Sequence, residues 1–102
     1  MKTNTSKFKE NDTVQVLPGT KDPDFKINIG GWVGEIEEIE LFENTSWLYK
    51  IRWSKETIMN AGEGYIDRCE NENLDYEVMF LAEKEIKLFQ IIEDTNTGFL
   101  IA

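Results

Sequence analysis

The sequence contains no histidine. That removes the usual general base near neutral pH, the Ser-His-Asp and Cys-His relays, and the commonest zinc ligand. The one cysteine, Cys69, can form neither an internal disulfide nor a cysteine-built zinc site, and it reads as a buried thiol in a reducing compartment. No stretch approaches the ~20 apolar residues of a membrane span, and MKTNTSKFKE lacks the apolar run of roughly 7–15 residues of a signal peptide, so a cytoplasmic location is expected. Basic charge is scarce as well. Eleven Lys and Arg face twenty Asp and Glu, for a net charge of -9. Such a field repels phosphate, and the lysines and arginines are scattered singly, so nucleic-acid binding is set aside. Paired carboxylates could still do acid and base work, but that chemistry needs a walled cleft that a chain this short has little material to build. A non-enzyme is expected.

With 40% hydrophobic and 30% charged residues, the 102-residue chain reads as one globular domain. A domain of this size buries roughly 60–70% of the surface its unfolded chain exposes, enough for one modest core. Thr13-Val14-Gln15-Val16-Leu17 alternates and stops at the turn pair Pro18-Gly19, marking a first strand. A long loop carrying Pro23 and Gly30-Gly31 follows. The second strand runs from Trp32 or Val33 to Phe42. Strict alternation puts Ile36 and Ile39 on opposite faces, so an extra residue at Glu37-Glu38, a bulge, is expected to return both to the core and bend the strand. After a turn at Glu43-Asn44-Thr45-Ser46, the third strand places Trp47, Tyr49, Ile51 and Trp53 on one face. A fourth strand is expected near Glu56 to Met59, a short helix over Tyr65 to Glu70, a further helical turn within Leu74 to Ala82, and a fifth strand over Glu85 to Phe89. The end, 90–102, reads as an added arm finishing in Phe99-Leu100-Ile101, which either packs back or pairs with a second chain; packing back, and a monomer, are expected.

The order VQVLPG, long loop, GWVGEIEEI, hairpin, YKIRW, TIM, helical turn and EIKLF resembles a Src-homology-3-like barrel. That resemblance implies a mainly β fold, a small five-stranded antiparallel barrel over about 8–89, with a helical insert over about 60–82 before the last strand and the C-terminal arm outside it. More narrowly, PGTKDPDF followed by IGGWVGEIEEI, WSKET and Tyr65-Ile66 resembles a small bacterial family labelled calcium-binding. In that family an acidic residue follows the tryptophan of the third strand; Ser54 stands there in this chain.

Two candidate sites emerge. Phe25, Trp32, Trp53 and Tyr65 could line a groove for an extended peptide or cage a methylated lysine, and the acidic surface suits a basic protein partner. Against this, a small domain must bury most of its aromatics. Asp22 and Asp24 could converge on Ca2+, with Asn28 or Glu35 as further donors, although the spacing is not that of an EF-hand. Alternatively, Asp22-Pro23-Asp24 is a turn whose side chains take up neighbouring backbone N–H groups. Gly30, Gly31 and Gly34 lack the residues of a phosphate loop, and Glu35, Glu37, Glu38, Glu40 and Glu43 read as a solvated strand face. The expected function is a non-catalytic binding or adaptor module for a protein or peptide; the alternative is calcium binding.

Overall fold

The computed structural model of the chain describes residues 5–43 and 45–89. Five strands form one antiparallel sheet: β1 (Thr13–Val16), β2 (Val33–Phe42), β3 (Ser46–Trp53), β4 (Val78–Ala82) and β5 (Ile86–Leu88), in the order β4-β3-β2-β1-β5. A helix, α1 (Lys55–Asn71), joins β3 to β4, and a single 3-10 turn at Glu83–Glu85 joins β4 to β5. No pairing joins β4 to β5 among the described residues, so the sheet is not closed. The expected arm over 90–102 lies outside the described residues.

β2 takes part in both halves of the sheet, and its register carries one surplus residue. Ile36 pairs with Ile51 and Glu38 with Lys50, leaving Glu37 as a bulge. The expected correction of phase follows: Ile36 is fully buried and Ile39 packs against the core. The bulged side chain points to the outer face, where its carboxylate meets Arg52 Nε at 2.9 Å and Lys50 Nζ at 3.5 Å. Arg52 reaches on to Glu77 at 3.0 Å, so one guanidinium ties the bulge to the segment entering β4. Two residues before Ile36, Gly34 lies so close to β3 that a Cβ would come within 2.5 Å of the Arg52 carbonyl oxygen. Only glycine permits that approach.

The stretch from Glu56 to Met59, expected as a strand, is the first turns of α1. Its β-branched Thr57-Ile58 favours a strand locally, but Ser54 caps a helix there. The Ser54 hydroxyl accepts the Thr57 N–H at 3.2 Å and donates to Thr57 Oγ1 at 3.0 Å. Thr57 Oγ1 in turn accepts from Val33 N–H at 3.1 Å and donates to the Val33 carbonyl at 3.0 Å. The buried hydroxyl therefore stitches the start of the helix to the start of β2. The helix breaks at Gly62 (φ 89°, ψ 165°), a conformation open essentially to glycine alone, which explains why residues 60–64 look irregular in sequence. Leu74 to Ala82 supplies β4 rather than a helical turn, so the insert spans 55–71 and precedes β4 rather than the last strand.

The core holds Val14, Val16, Ile29, Ile36, Tyr49 and Ile51, with Met79, Leu81 and Ile86 from the flanking strands. Phe8 enters from the N-terminal segment, its ring edge-on to Tyr49 at 5.4 Å. The Tyr49 hydroxyl donates to Glu83 at 2.6 Å, and burial with that bond pushes its pKa up to about 12.

Thr57→Val keeps the side-chain shape but leaves the Val33 N–H without an acceptor. The expected loss is about 1–3 kcal/mol in chemical denaturation, largely restored in Thr57→Ser. A loss equally large in Thr57→Ser would show that packing of the methyl group, not the hydroxyl, holds the helix.

The hydrogen bond from Arg52 holds the Glu37 carboxyl below its ordinary 4.5, against the opposing effect of burial and with help from the Arg52 and Lys50 charges. A depressed carboxyl pKa stabilises the fold above the unfolded value and loses that contribution as pH falls through the folded one. Wild type should therefore exceed Glu37→Gln in denaturation midpoint near neutral pH, and the gap should close below the ordinary carboxyl range. A gap that does not change with pH would remove ionisation from the account.

Candidate functional site

Between β1 and β2 the chain runs out and back as a narrow ribbon. Val16 N–H donates to the Trp32 carbonyl and Gly31 N–H to the Val16 carbonyl, both at 2.8 Å, closing the base of the loop. Ile29 N–H donates to Thr20 at 2.9 Å, and Asp22 N–H to Ile27 at 3.0 Å, so the loop is laddered nearly to its tip. Asp22 organises that tip. Its side chain is buried, 1% exposed. One oxygen accepts from Asp24 N–H at 3.0 Å and Phe25 N–H at 2.8 Å, and the other from Ile27 N–H at 2.9 Å. Pro23 has no N–H to offer, so the first donors within reach are those two and three residues on. Lys26 turns the chain through a left-handed conformation (φ 63°) to close the tip.

This is the local role foreseen for Asp22 as a turn residue. Its carboxylate is committed to three main-chain donors, while Asp24 is exposed. Among the described residues, no group of three or more Asp, Glu, Cys or His side chains is disposed to hold a metal ion.

The fixed tip sets Phe25 against α1. Its ring stands edge-on to Tyr65 at 6.2 Å, Tyr65 edge-on to Trp32 at 5.3 Å, and Trp32 edge-on to Trp53 at 5.2 Å. The four aromatics singled out from the sequence thus form one continuous row. They do not play equal parts. Trp53 is 4% exposed, with its indole N–H buried and without a hydrogen-bond partner among the described residues, and Trp32 packs against the core. Phe25 and Tyr65, the outer pair, border a cleft of about 320 Å3 between the loop tip, the second half of α1 and β4. Edge-to-face contacts fill the ring faces that a cage would keep open. Arg68 covers one more, its guanidinium 4.1 Å from the centre of Phe25.

The cleft is mostly apolar. Met79, Phe80, Val78 and Leu74 complete its walls, with Asp24 and Asp75 among the residues around it. Neither acid forms an ion pair with Lys or Arg among the described residues. Burial, with the Cys69 thiol alongside, pushes the Tyr65 hydroxyl well above its usual range. Cys69 is itself buried, and burial, opposed by Tyr65 and aided by the Asp22 charge, raises its thiol pKa.

Sequence reasoning named Phe25 and Tyr65 but not Arg68, Asp75 or the β4 residues opposite. Arg68 was within reach: it lies three residues beyond Tyr65 on one helical face. The β4 wall was not, because its run of apolar residues carries no alternation to mark a strand. Comparison of the chain with protein-family models, curated proteins and solved structures returns no match.

Asp22→Ala should cost about 3 kcal/mol by stranding three partly buried N–H groups, and Asp22→Asn, which keeps one acceptor oxygen, clearly less. Amide shifts of Phe25 and Ile27 should collapse toward disordered values in the alanine variant, ahead of global unfolding. Unchanged shifts would mean that the backbone ladder alone fixes the tip.

Proposed function

We propose that this chain is a Src-homology-3-like barrel acting as a non-catalytic module that binds a protein segment in the cleft beside Phe25 and Tyr65. The barrel reading is supported by the meander of β1 to β4, the return of β5 to pair with β1, and the single 3-10 turn between β4 and β5. The observation that carries the binding reading is the wall of the cleft. Phe25 stands on a loop held by a buried carboxylate, so an apolar surface is exposed yet already fixed in place. A preformed apolar cleft with a few polar groups at its edge is the usual form of a recognition site, and ordering it beforehand lowers the entropic cost of binding.

The titratable groups of the cleft speak against catalysis. A nucleophilic cysteine needs a lowered pKa, whereas Cys69 is raised and stays a thiol, and Tyr65 is likewise held neutral. The net charge of -9, with Asp24 and Asp75 beside the cleft, favours a basic partner.

A phage-displayed library of random dodecapeptides panned on the full chain tests this. Selected peptides should be rich in Lys and Arg, bind more weakly as salt rises, and shift the amides of residues 23–25, 65–69 and 74–80. Phe25→Ala should weaken them at least about tenfold. Met59→Ala, altering an exposed side chain outside the cleft, should leave them unchanged. Recovery of no binding peptide, or shifts elsewhere, would overturn the reading.

A further inference from the structure

Among the described residues β4 is an edge strand, and its pairing shows which of its main-chain groups find no partner there. Trp53 N–H donates to the Glu77 carbonyl at 2.9 Å directly across from it. In an antiparallel ladder bonded and non-bonded pairs alternate, so Met79 and Leu81 turn their N–H and C=O groups toward β3. Val78, Phe80 and Ala82 turn theirs to the open side. The Ala82 N–H is taken by the Glu85 side chain at 2.9 Å. No hydrogen bond among the described residues reaches the main-chain groups of Val78 or Phe80.

Proteins blunt such edges with lysine, proline, a bulge or a covering element. Val78-Met79-Phe80-Leu81-Ala82 has none of those residues, and Phe80 is 42% exposed. The cleft beside Phe25 and Tyr65 is walled on this side by Val78, Met79 and Phe80. An apolar depression and a row of unpaired amide groups therefore adjoin.

We infer that β4 is the docking edge of this module: the bound segment adds to the sheet as a further strand, hydrogen-bonded to Val78 and Phe80, with an apolar side chain in the cleft and basic residues flanking it. This rests on the binding reading above and specifies the partner's conformation and chemistry. The free groups of Val78 and Phe80 are two residues apart, about 7 Å along a strand, so four to five extended residues of the partner make the contact. Charge selects what those residues are. Asp24 and Asp75 stand at the cleft, and Glu77 and Glu83 bracket β4. Glu83 accepts from the Lys7 N–H and the Tyr49 hydroxyl, neither of which brings a cation to it.

A second copy of this chain fits the edge poorly. Antiparallel self-pairing centred on Phe80 brings Glu77 of each chain opposite Glu83 of the other; Arg52, 3.0 Å from Glu77, offsets that charge only in part, and like charges directly across a ladder repel. A Lys or Arg at either flank of a foreign strand turns that repulsion into attraction.

The test changes the peptide, so the protein's own folding is not in question. A peptide selected from the dodecapeptide library is synthesised with single backbone N-methyl groups walked along its central residues. Expected is an alternation: methylation at every second position weakens binding at least about tenfold, while the positions between stay within about twofold. Hydrogen exchange of the Val78 and Phe80 amides should slow at least about tenfold on binding. Binding that tolerates every N-methyl group and leaves both amides unprotected would refute strand addition while the cleft reading stands. Failure of any peptide to bind overturns both. Sedimentation showing a dimer with Val78 and Phe80 protected in the free protein would assign the edge to a second copy instead.

Discussion

A single surplus residue in β2 sets the geometry on which the rest depends. β2 pairs with β1 through its first residues and with β3 along its length, so its phase must satisfy both neighbours. Without the bulge at Glu37, one of Ile36 and Ile39 would face water and a glutamate would face the core, at about 1.5–3 kcal/mol for the lost aliphatic burial alone. The bulge also increases local twist. Its own side chain is not wasted: Glu37 gathers Lys50 and Arg52 on the outer face, and Arg52 extends the network to Glu77 just before β4. One irregularity thus phases the core and anchors the segment that enters β4.

The loop that carries Phe25 is rigid for a different reason. At its tip the chain buries little apolar surface and depends on hydrogen bonds, three of which converge on a carboxylate removed from water. Bonds to a charged acceptor are stronger than those between neutral groups, and each also removes a main-chain donor that would otherwise be orphaned. Ile29, fully buried, and Ile27 pin the returning arm to the core. Phe25 therefore meets Tyr65 as a fixed surface, and the row through Trp32 to Trp53 runs from cleft to core.

What the sequence revealed and what it hid follow from the range of the forces involved. β1, β2, β3 and β5, the bulge and the role of Asp22 all rest on alternation or on donors within five residues, and each is legible locally. The start of α1 carries mixed signals: Thr57-Ile58 has strand propensity and Gly62 and Gly64 interrupt the helical period, against the one local cap signal of Ser54. The bond that ties it to the sheet, between Thr57 and Val33, spans twenty-four residues. β4 was hidden because four of its five residues are strongly apolar, so the alternation that marks a strand disappears. The four aromatics lie in one row. Which two would border the cleft depended on those missed elements.

An apolar edge that no described residue covers invites aggregation on a small domain, and the distribution of charge explains how this one can be left open. Self-pairing centred on Phe80 would form four main-chain bonds, since the Ala82 N–H of each copy is occupied. At about 0.5–1.5 kcal/mol each they contribute roughly 2–6 kcal/mol. Two Glu77–Glu83 oppositions subtract about 1 kcal/mol apiece even in a water-like dielectric. Arg52 partly offsets the charge of Glu77, but each copy also brings its net charge of -9. The remainder, about 0–4 kcal/mol, lies at or below the low end of the about 4–15 kcal/mol that association costs in lost rigid-body freedom. With a basic strand the same carboxylates attract, and the preformed cleft adds burial of an apolar side chain. The edge can therefore stay exposed in this acidic chain because the charges that oppose its own copies favour a partner of opposite sign.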